Sequence, residues 1–510
     1  MKHIKKIFIV ILLHTTVVHA QTAGTVDLSF GNNGYISTTL DVKYDEGISA
    51  EKILRQSDGK YVVLFSGYKY VNGQYQQDYF IYRFFANGQT DRNFGSNGHI
   101  ALDFIVSQFF IQADGKLLVC GQADDEIVLA RFLSGGSADN DFGFNGKGYT
   151  GLYFAPTSCL LLKNGKILIA GNHQSDKGSL LVMLEANGNR DFAFGADGMR
   201  YYSYDQTNFL RYIGMMKEMD DGKILLGATL YGNNQFFASM IRLNSMYNYD
   251  STFSSDGEQQ LSYQGFNIQD IQHAGAGRLM VSGYFFYNNY QGASTVVARL
   301  KANGTPDSSF GNRSIRTGNF GGVRDFNYPL LIQPDGKPVI AGSSDGKFGL
   351  LRLTTTGASD AQFNNTGKST SAIANASYAG IRYLEMEADG RLLVAGYAFN
   401  KDSTASFILS MYHTAYNTSL AEVSPETELS LYPNPAGSSC TVSFTLQQAE
   451  AVSISLYDVN GRLLLSKSSD GLLAAGLHAE ALDLHGLARG MYALVIRHGT
   501  ASMQTKLLKD

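Results

Sequence analysis

The chain has 510 residues, 44% hydrophobic and 17% charged, with a formal net charge of −4. That hydrophobic share supports a sizeable buried core, and the lack of any basic balance excludes nucleic acid as a favoured partner. Gly is abundant (55), Pro sparse (8) and Trp absent, while Tyr and Phe supply 30 and 31 residues, a composition that suits β-structure with glycine turns.

The first segment has a basic start (Lys2, Lys5, Lys6), a short apolar run from Ile7 to Leu13, and small-residue spacing at Val18-His19-Ala20. This reads as a secretory signal peptide over 1–20, cut between Ala20 and Gln21. The apolar run is short for a bilayer span, and no later stretch has the length of a transmembrane helix.

From residue 21 to 414 one pattern recurs: an Asp, a Phe three residues on, and glycines around and after it. It occurs at Asp27-Phe30, Asp91-Phe94, Asp139-Phe142, Asp191-Phe194, Asp250-Phe253, Asp307-Phe310 and Asp360-Phe363. A second signal interleaves with it: Asp58-Gly59-Lys60, Asp114-Gly115-Lys116, Asn164-Gly165-Lys166, Asp221-Gly222-Lys223, Gly277-Arg278, Asp335-Gly336-Lys337 and Asp389-Gly390-Arg391. Asp-Gly between apolar runs predicts hairpins closed by two-residue turns. The unit from Asp307 predicts four strands, near 313–317, 328–333, 338–342 and 348–353. Four strands in each of seven units is the arithmetic of a seven-bladed β-propeller. The repeated Phe is then expected to plug between blades, and the Asp to cap its own turn. An Arg recurs eight residues before the Asp (Arg83, Arg131, Arg242, Arg299, Arg352), replaced by Met183 in one unit, and reads as structural and partly buried. No eighth copy follows Met411, so the ring is expected to close through the strand after Asp27.

Three cysteines, Cys120, Cys159 and Cys440, form no framework spacing. Cys120 reads as a buried thiol, with a Cys120–Cys159 bridge between neighbouring repeats as the alternative.

Strand alternation puts the Asp-Gly hairpins and the Asp-x-x-Phe turns on one uniform face. The opposite face carries variable loops, three of them long and aromatic-polar: 68–79, 230–235 and 284–292. Tyr68, Tyr70, Tyr75, Tyr231, Tyr284, Tyr287 and Tyr290 stand there among amides and glycines. Tyrosine offers amphipathic contact area with little entropy loss, and stacked tyrosines with amides suit sugar rings. They are the candidate ligand-binding residues; the alternative is packed or solvated surface.

Motifs of catalysis are weak. Gly342-Ser343-Ser344-Asp345-Gly346 has nucleophile-elbow spelling but lies between strands. Gly367-Lys368-Ser369 lacks the first glycine and the helix of a phosphate loop. His478, Glu480 and His485 lack zinc spacing, and Asp124-Asp125-Glu126 lacks the alternation of a calcium loop. No catalytic residue, metal ligand or cofactor is assigned.

Residues 415–428 form a Ser/Glu/Pro linker, and 429–510 alternates in about seven short strands, which predicts a small Ig-like β-sandwich. Leu431-Tyr432-Pro433-Asn434-Pro435, Ile454 to Arg462 with Gly461, Gly490-Met491-Tyr492 and Lys506-Leu507-Leu508-Lys509 together resemble the type A C-terminal sorting domain of the type IX secretion system of Bacteroidetes. The resemblance implies recognition by the type IX translocon and sorting machinery, with Pro433, Asn434, Pro435, Gly461, Gly490, Tyr492 and Lys506 as its motif residues. It also implies removal of the domain, followed by release or by attachment to anionic lipopolysaccharide. The repeats, through the Asp-x-x-Phe-Gly turn, Gln112 to Lys116 and Ala130-Arg131-Phe132, resemble the delta-60 repeats of bacterial surface proteins. That resemblance implies a propeller and no particular substrate. The expectation is therefore a secreted or surface-attached, non-enzymatic propeller binding an extracellular glycan or protein. The alternatives are a glycan hydrolase or lyase with its site in the central channel, and a structural spacer.

Overall fold

The computed structural model describes residues 22–44, 47–172, 179–202, 210–232, 235–287, 291–414, 429–446, 449–458, 463–498 and 501–510. Ala20, Gln21, Tyr290 and Gly461 lie outside them. The chain forms two compact units, divided between residues 415 and 416.

The first unit holds seven four-stranded antiparallel sheets. Blade 1 runs outward through Ile48–Arg55, Tyr61–Val71, Gln74–Phe84 and His99–Leu102. The innermost strands of blades 2 to 7 are Ile105–Ile111, Pro156–Leu161, Leu210–Glu218, Asn267–His273, Asp325–Ile332 and Ala376–Met386. Each innermost strand contacts the next, and the seventh contacts the first. The second and third strands of each blade read as nearly continuous buried runs, such as Pro338–Ser344, because both faces of a blade are covered by neighbours.

The sequence unit and the blade are offset by one strand. Ile315–Gly318, read above as the first strand of its unit, is the outer strand of the preceding blade, paired with Gly292–Leu300. The same offset closes the ring. Tyr35–Lys43 pairs with Thr404–Tyr412 in blade 7, with Tyr35 opposite Ser410 and Thr39 opposite Ser406. Every blade is thus stitched to its neighbour by the covalent chain, and the first and last parts of the repeat region share one sheet.

The Asp-Gly turns differ from expectation. In the first, Gln56 N–H donates to Lys60 O and Gly59 N–H to Gln56 O. This is a three-residue turn in which Gly59 alone has positive φ (+83°), the form that ends in a glycine bulge.

The two repeated signals meet in space. In all seven copies the hairpin cation reaches the Asp of the Asp-x-x-Phe turn, from Arg391–Asp27 at 2.6 Å to Lys60–Asp91 at 3.6 Å. Where the strand Arg is present it joins the same carboxylate, as Arg242 Nε to Asp250 at 2.8 Å and Arg299 Nε to Asp307 at 2.8 Å. The other carboxylate oxygen accepts the N–H two residues on, for example Ser309 N to Asp307 Oδ1 at 3.2 Å, so the Asp caps its own turn as expected. The Phe beneath is fully buried at Phe94, Phe142, Phe253, Phe310 and Phe363. Its ring carries the guanidinium 4.6–4.8 Å above it. The turn also bonds the next blade: Gly95 N–H donates to Gly135 O and Gly311 N–H to Thr356 O.

Cys120 is not a free thiol. It is bonded to Cys159, with Cα atoms 6.8 Å apart. Blade stacking brings the second strand of blade 2 onto the innermost strand of blade 3, inside one apolar cluster with Leu118, Leu129, Phe142 and Phe154.

The second unit is a seven-stranded sandwich. One sheet holds Ser430–Tyr432, Ser439–Leu446 and Gly476–Asp483; the other holds Leu463–Leu473, Glu450–Tyr457, Gly490–His498 and Ala501–Lys509. Val442, Phe444, Leu456, Leu494, Ile496 and Leu507 fill its core.

Candidate functional site

Where seven innermost strands converge, they cannot pair with one another, and their backbone must be managed otherwise. Each strand carries a register break at the same place, which leaves Glu51, Ser107, Thr157, Gly214, Gln269, Tyr328 with Pro329, and Arg382 without a one-to-one partner. Such bulges re-aim side chains. Of these, Glu51, Gly214, Gln269, Tyr328, Pro329 and Arg382 line the axial cavity, whereas Ser107 and Thr157 turn to the neighbouring blade. Several of the displaced backbone groups are met by side chains of the neighbouring blade. Lys52 Nζ donates to Phe109 O (3.0 Å), Ser107 Oγ to Pro156 O (3.1 Å), Thr157 Oγ1 to Ile213 O (2.7 Å) and Lys217 Nζ to Ile271 O (2.6 Å). Leu330 N–H donates to Asp270 Oδ2 (2.8 Å), and Arg382 Nε donates to Ala50 O (2.8 Å), bridging blade 7 to blade 1. Side chains thus hold the axis together where ladder hydrogen bonds are lacking.

The axis encloses a cavity of about 910 Å³, lined by Glu51, Lys52, Gln108, Asp270, Tyr328 and Arg382 among others. This volume lies within the range of small-ligand sites. Lys52 also donates to Gln108 Oε1 (2.7 Å) and lies 4.7 Å over the Phe110 ring. Burial pulls its amine down to about 7, since an ammonium loses hydration in the channel. Burial pushes the Asp270 carboxyl up, against the opposing donors Leu330 N, Gln272 and Ile271 N and the nearby charge of Lys217. The Arg382 guanidinium lies 3.3 Å from the Tyr328 ring centre and 5.3 Å from that of Tyr397.

The expected tyrosines separate into distinct environments. The segment 68–79 is not a loop: Tyr61–Val71 and Gln74–Phe84 pair throughout, Tyr70 opposite Tyr75. Asn72 and Gly73, both at positive φ (+52° and +84°), make the tight turn at its tip. Tyr70 and Tyr75 stack edge to face at 5.0 Å and stay exposed. Likewise 230–235 and 284–292 extend the hairpins Ile224–Gly232/Gln235–Leu243 and Leu279–Tyr287/Gly292–Leu300. Tyr231 pairs with Phe236 in the first of these; its side chain lies outside the described part. Tyr284 is packed, its ring 5.1 Å from Phe326, 5.5 Å from Phe286 and 6.5 Å from Tyr328. Tyr287 donates to Val323 O (2.9 Å). Tyr68 lines a second, smaller cavity of about 270 Å³ with Tyr378, Tyr397 and Phe399.

These contacts assemble an array that sequence reading missed. Tyr284 touches Tyr328, Tyr328 carries Arg382, Arg382 faces Tyr397, Tyr397 meets Tyr378 (6.0 Å), and Tyr378 shares a cavity wall with Tyr68. It crosses from blade 5 to blade 1; Tyr328 and Arg382 line the axial cavity, and Tyr397, Tyr378 and Tyr68 line the smaller one. Only Tyr68 and Tyr284 were legible, because only they lie in long insertions. Tyr328 and Arg382 were hidden in ordinary-looking strands, and their shared bulge position was the available signal.

In the sandwich, Asn434 acts as a clasp: its Nδ2 donates to Lys506 O (2.8 Å) and its Oδ1 accepts from Leu508 N (2.8 Å). Tyr492 is buried with its hydroxyl on Ala488 O (2.7 Å). Lys506 is exposed, and Pro433, Pro435 and Gly490 flank these contacts.

Residues 430–510 match a family model described as the Secretion system C-terminal sorting domain. Residues 112–142, 277–310 and 333–363 match a β-propeller domain of unknown function, DUF5122. No curated protein matches the chain. Among solved structures, the chain is similar to the polysaccharide lyase Uly1 (11% identity, TM-score 0.45, covering 78% of this chain and 98% of that one). It is also similar to the acylaminoacyl peptidase of Pyrococcus horikoshii (9%, TM-score 0.37, 80% and 60%). Prolyl oligopeptidase B of Galerina marginata is a further match (11%, TM-score 0.39, 79% and 56%). The chain is thus a β-propeller with a type IX sorting domain, which delivers it to the cell surface or the extracellular space.

Proposed function

We propose that this type IX cargo is a surface or secreted binding protein that takes an extracellular glycan across the aromatic–guanidinium array beside its axial cavity. The signal peptide over 1–20, the domain limits at 414 and 429, removal of the sorting domain and attachment to lipopolysaccharide belong to the same proposal. The observation that carries it is the array from Tyr284 to Tyr68. Tyr328 and Arg382 line a cavity large enough for sugar rings together with Glu51, Lys52, Gln108 and Asp270, and Tyr68, Tyr378 and Tyr397 line a smaller one. The Asp-x-x-Phe face repeats one scaffold seven times, whereas the bulge ring and the hairpins differ from blade to blade, which is the pattern expected of a recognition surface on a fixed frame.

The test is a glycan array probed with the mature propeller and with Tyr68→Ala and Tyr378→Ala. Both substitutions are expected to lower binding at least about tenfold, with unchanged thermal midpoints for Tyr68→Ala, whose side chain is exposed. Absence of glycan binding by the unaltered protein refutes the proposal, as does undiminished binding by both variants.

A further inference from the structure

The charges of the axial cavity are unevenly compensated. Arg382 has no carboxylate within ion-pair distance among the described residues. Its Nε bonds a backbone carbonyl, and its Nη1 is shielded from water with no hydrogen-bond partner. Lys52 bonds only an amide oxygen and a backbone carbonyl. The cavity's two acids are already served. Glu51 Oε1 accepts from the Ser49 and Ser66 hydroxyls. Asp270 accepts from the N–H groups of Ile271 and Leu330 and from the Gln272 amide. The strand arginines of the repeated turns, by contrast, each sit on an aspartate, as Arg83–Asp91 at 2.9 Å and Arg352–Asp360 at 2.8 Å. A buried cation normally has an anionic partner, and an orphaned buried donor marks a missing one.

Arg382 and Lys52 lie on the innermost strands of adjacent blades, 7 and 1, and both line the one cavity. We infer that the axial cavity takes an acidic glycan, whose carboxylate or sulfate sits against Arg382 and Lys52 while its sugar rings lie on the tyrosine array. A guanidinium stacked on Tyr328 presents a planar fork, the geometry that accepts a carboxylate or sulfate edge. Lys52 adds a second positive centre reached from the neighbouring blade. Glu51 lines the same cavity and disfavours a second acidic group close by, so the chain it accepts has spaced rather than contiguous charges. This inference rests on the carbohydrate-binding reading above.

The experiment is calorimetric titration of the mature protein, at low ionic strength and near pH 6, with four probes: an oligogalacturonate, its fully methyl-esterified form, a sulfated galactan oligomer and a neutral oligoglucan. The acid form or the sulfated oligomer is expected to bind about tenfold or more tightly than the methyl ester and the neutral chain. Which of the two binds more tightly identifies the acidic group. Lys52→Met and Arg382→Met are expected to abolish that preference, and Arg382→Lys to retain part of it. Because Arg382 also holds the junction between blades 7 and 1, Lys52→Met is the decisive variant should Arg382→Met fail to fold. Equal binding of the acid and its methyl ester, or a preference that survives Lys52→Met, overturns the inference and leaves the carbohydrate reading standing. Failure of all four probes to bind sinks both.

Discussion

Replacing Arg299 with Met tests whether the repeated Arg–Asp–Phe cluster holds the blades together. The chain contains its own control, since blade 3 carries Met183 at that position, fully buried, above an intact Asp191. Among the described residues Lys166 is the cation on that carboxylate, at 2.7 Å, and the Ala193 N–H caps it. Arg299 makes three contacts: Nε to Asp307 (2.8 Å), Nη2 to Ser309 Oγ (2.8 Å), and Nη1 to Thr355 O in the next blade. Hydrogen bonds to charged groups contribute about 1.5–3 kcal/mol each, so the gross loss is about 5 kcal/mol. Two features reduce it. Asp307 keeps Arg278 at 3.2 Å and the Ser309 amide, and the Met thioether replaces the guanidinium over Phe310, a favourable sulfur–aromatic contact. The expected net cost is about 2–3 kcal/mol. The assay is urea unfolding of the mature propeller, with hydrogen exchange to locate the loss. Protection should fall first at the junction of blades 5 and 6, where the Thr355 bond is cut. Arg278→Met alone should cost about 0.5–1 kcal/mol, since that side chain is half-exposed. A cost below about 0.5 kcal/mol for Arg299→Met refutes the reasoning and makes the arginine a passenger of the Asp–Lys pair.

Acid should unfold the propeller through the same carboxylates. Burial raises the Asp250 carboxyl, but the Thr252 hydroxyl and amide, Arg242 and Lys223 outweigh it and bring it to about 2. Asp27, Asp139, Asp191, Asp307 and Asp360 are also lowered. With an unfolded value of about 3.9, this stabilisation is fully present above about pH 4 and lost as pH falls through 2; urea midpoints from pH 6 to 2.5 check it, and Asp250→Asn should flatten the slope. Lys52 works in the other direction. Its folded value of about 7 lies below the ordinary lysine value of 10.5, so stability should rise as pH climbs from 7 to 10, and Lys52→Met should remove that rise. Glu51, Asp270 and Arg382 also line its cavity; none of them ion-pairs with Lys52 among the described residues, so the direction stands. Reducing the Cys120–Cys159 bridge, which spans 39 residues, should cost about 3–4 kcal/mol by loop-closure entropy; urea midpoints with and without reductant measure it against Cys120→Ala. Tyr284→Ala should destabilise by about 2 kcal/mol or more because its ring is packed, whereas Tyr70→Ala, at an exposed hairpin end, should stay within about 0.5 kcal/mol of the unaltered protein.

The blades were legible because their signals are local and repeated. A Gly with positive φ in the hairpin turn and a Phe three residues beyond an Asp in the next turn each recur seven times. The closure through Tyr35–Lys43 followed from counting, since a propeller with an unpaired outer strand would expose an edge. What escaped was the phase of the unit. The chain repeats by turns, whereas the blade is bounded by hydrogen bonds, and nothing in 313–317 says to which neighbour it pairs. The link between hairpin Lys and turn Asp also escaped. Lys116 and Asp139 lie 23 residues apart, and the pairing of their strands alone brings them to 3.0 Å. Asn72-Gly73 was readable as a tight turn by the rule applied to every Asp-Gly, and applying it there converts a supposed loop into a hairpin.

The deeper reason that the axial site was hidden lies in what a bulge demands. The turns constrain residue identity: a Gly holds positive φ in each Asp-Gly-type hairpin turn, and an Asp carboxylate caps each Asp-x-x-Phe turn. The bulge constrains only backbone, so Glu51, Ser107, Thr157, Gly214, Gln269, Tyr328 and Arg382 share a position without sharing a chemistry. One ring of the molecule is therefore held uniform by folding, while another is left free by it. That freedom is what a binding site requires. A residue at the bulge ring can change the cavity without disturbing the ladder beside it, provided its neighbours still serve the displaced carbonyls. Ser107 and Thr157 do that service and nothing else visible, whereas Arg382 does it with Nε alone and keeps the rest of its guanidinium in reserve. The scaffold and the site thus meet in one side chain. Arg382 bonds blade 7 to blade 1 through Nε and also lines the axial cavity, where its guanidinium lies against the Tyr328 ring.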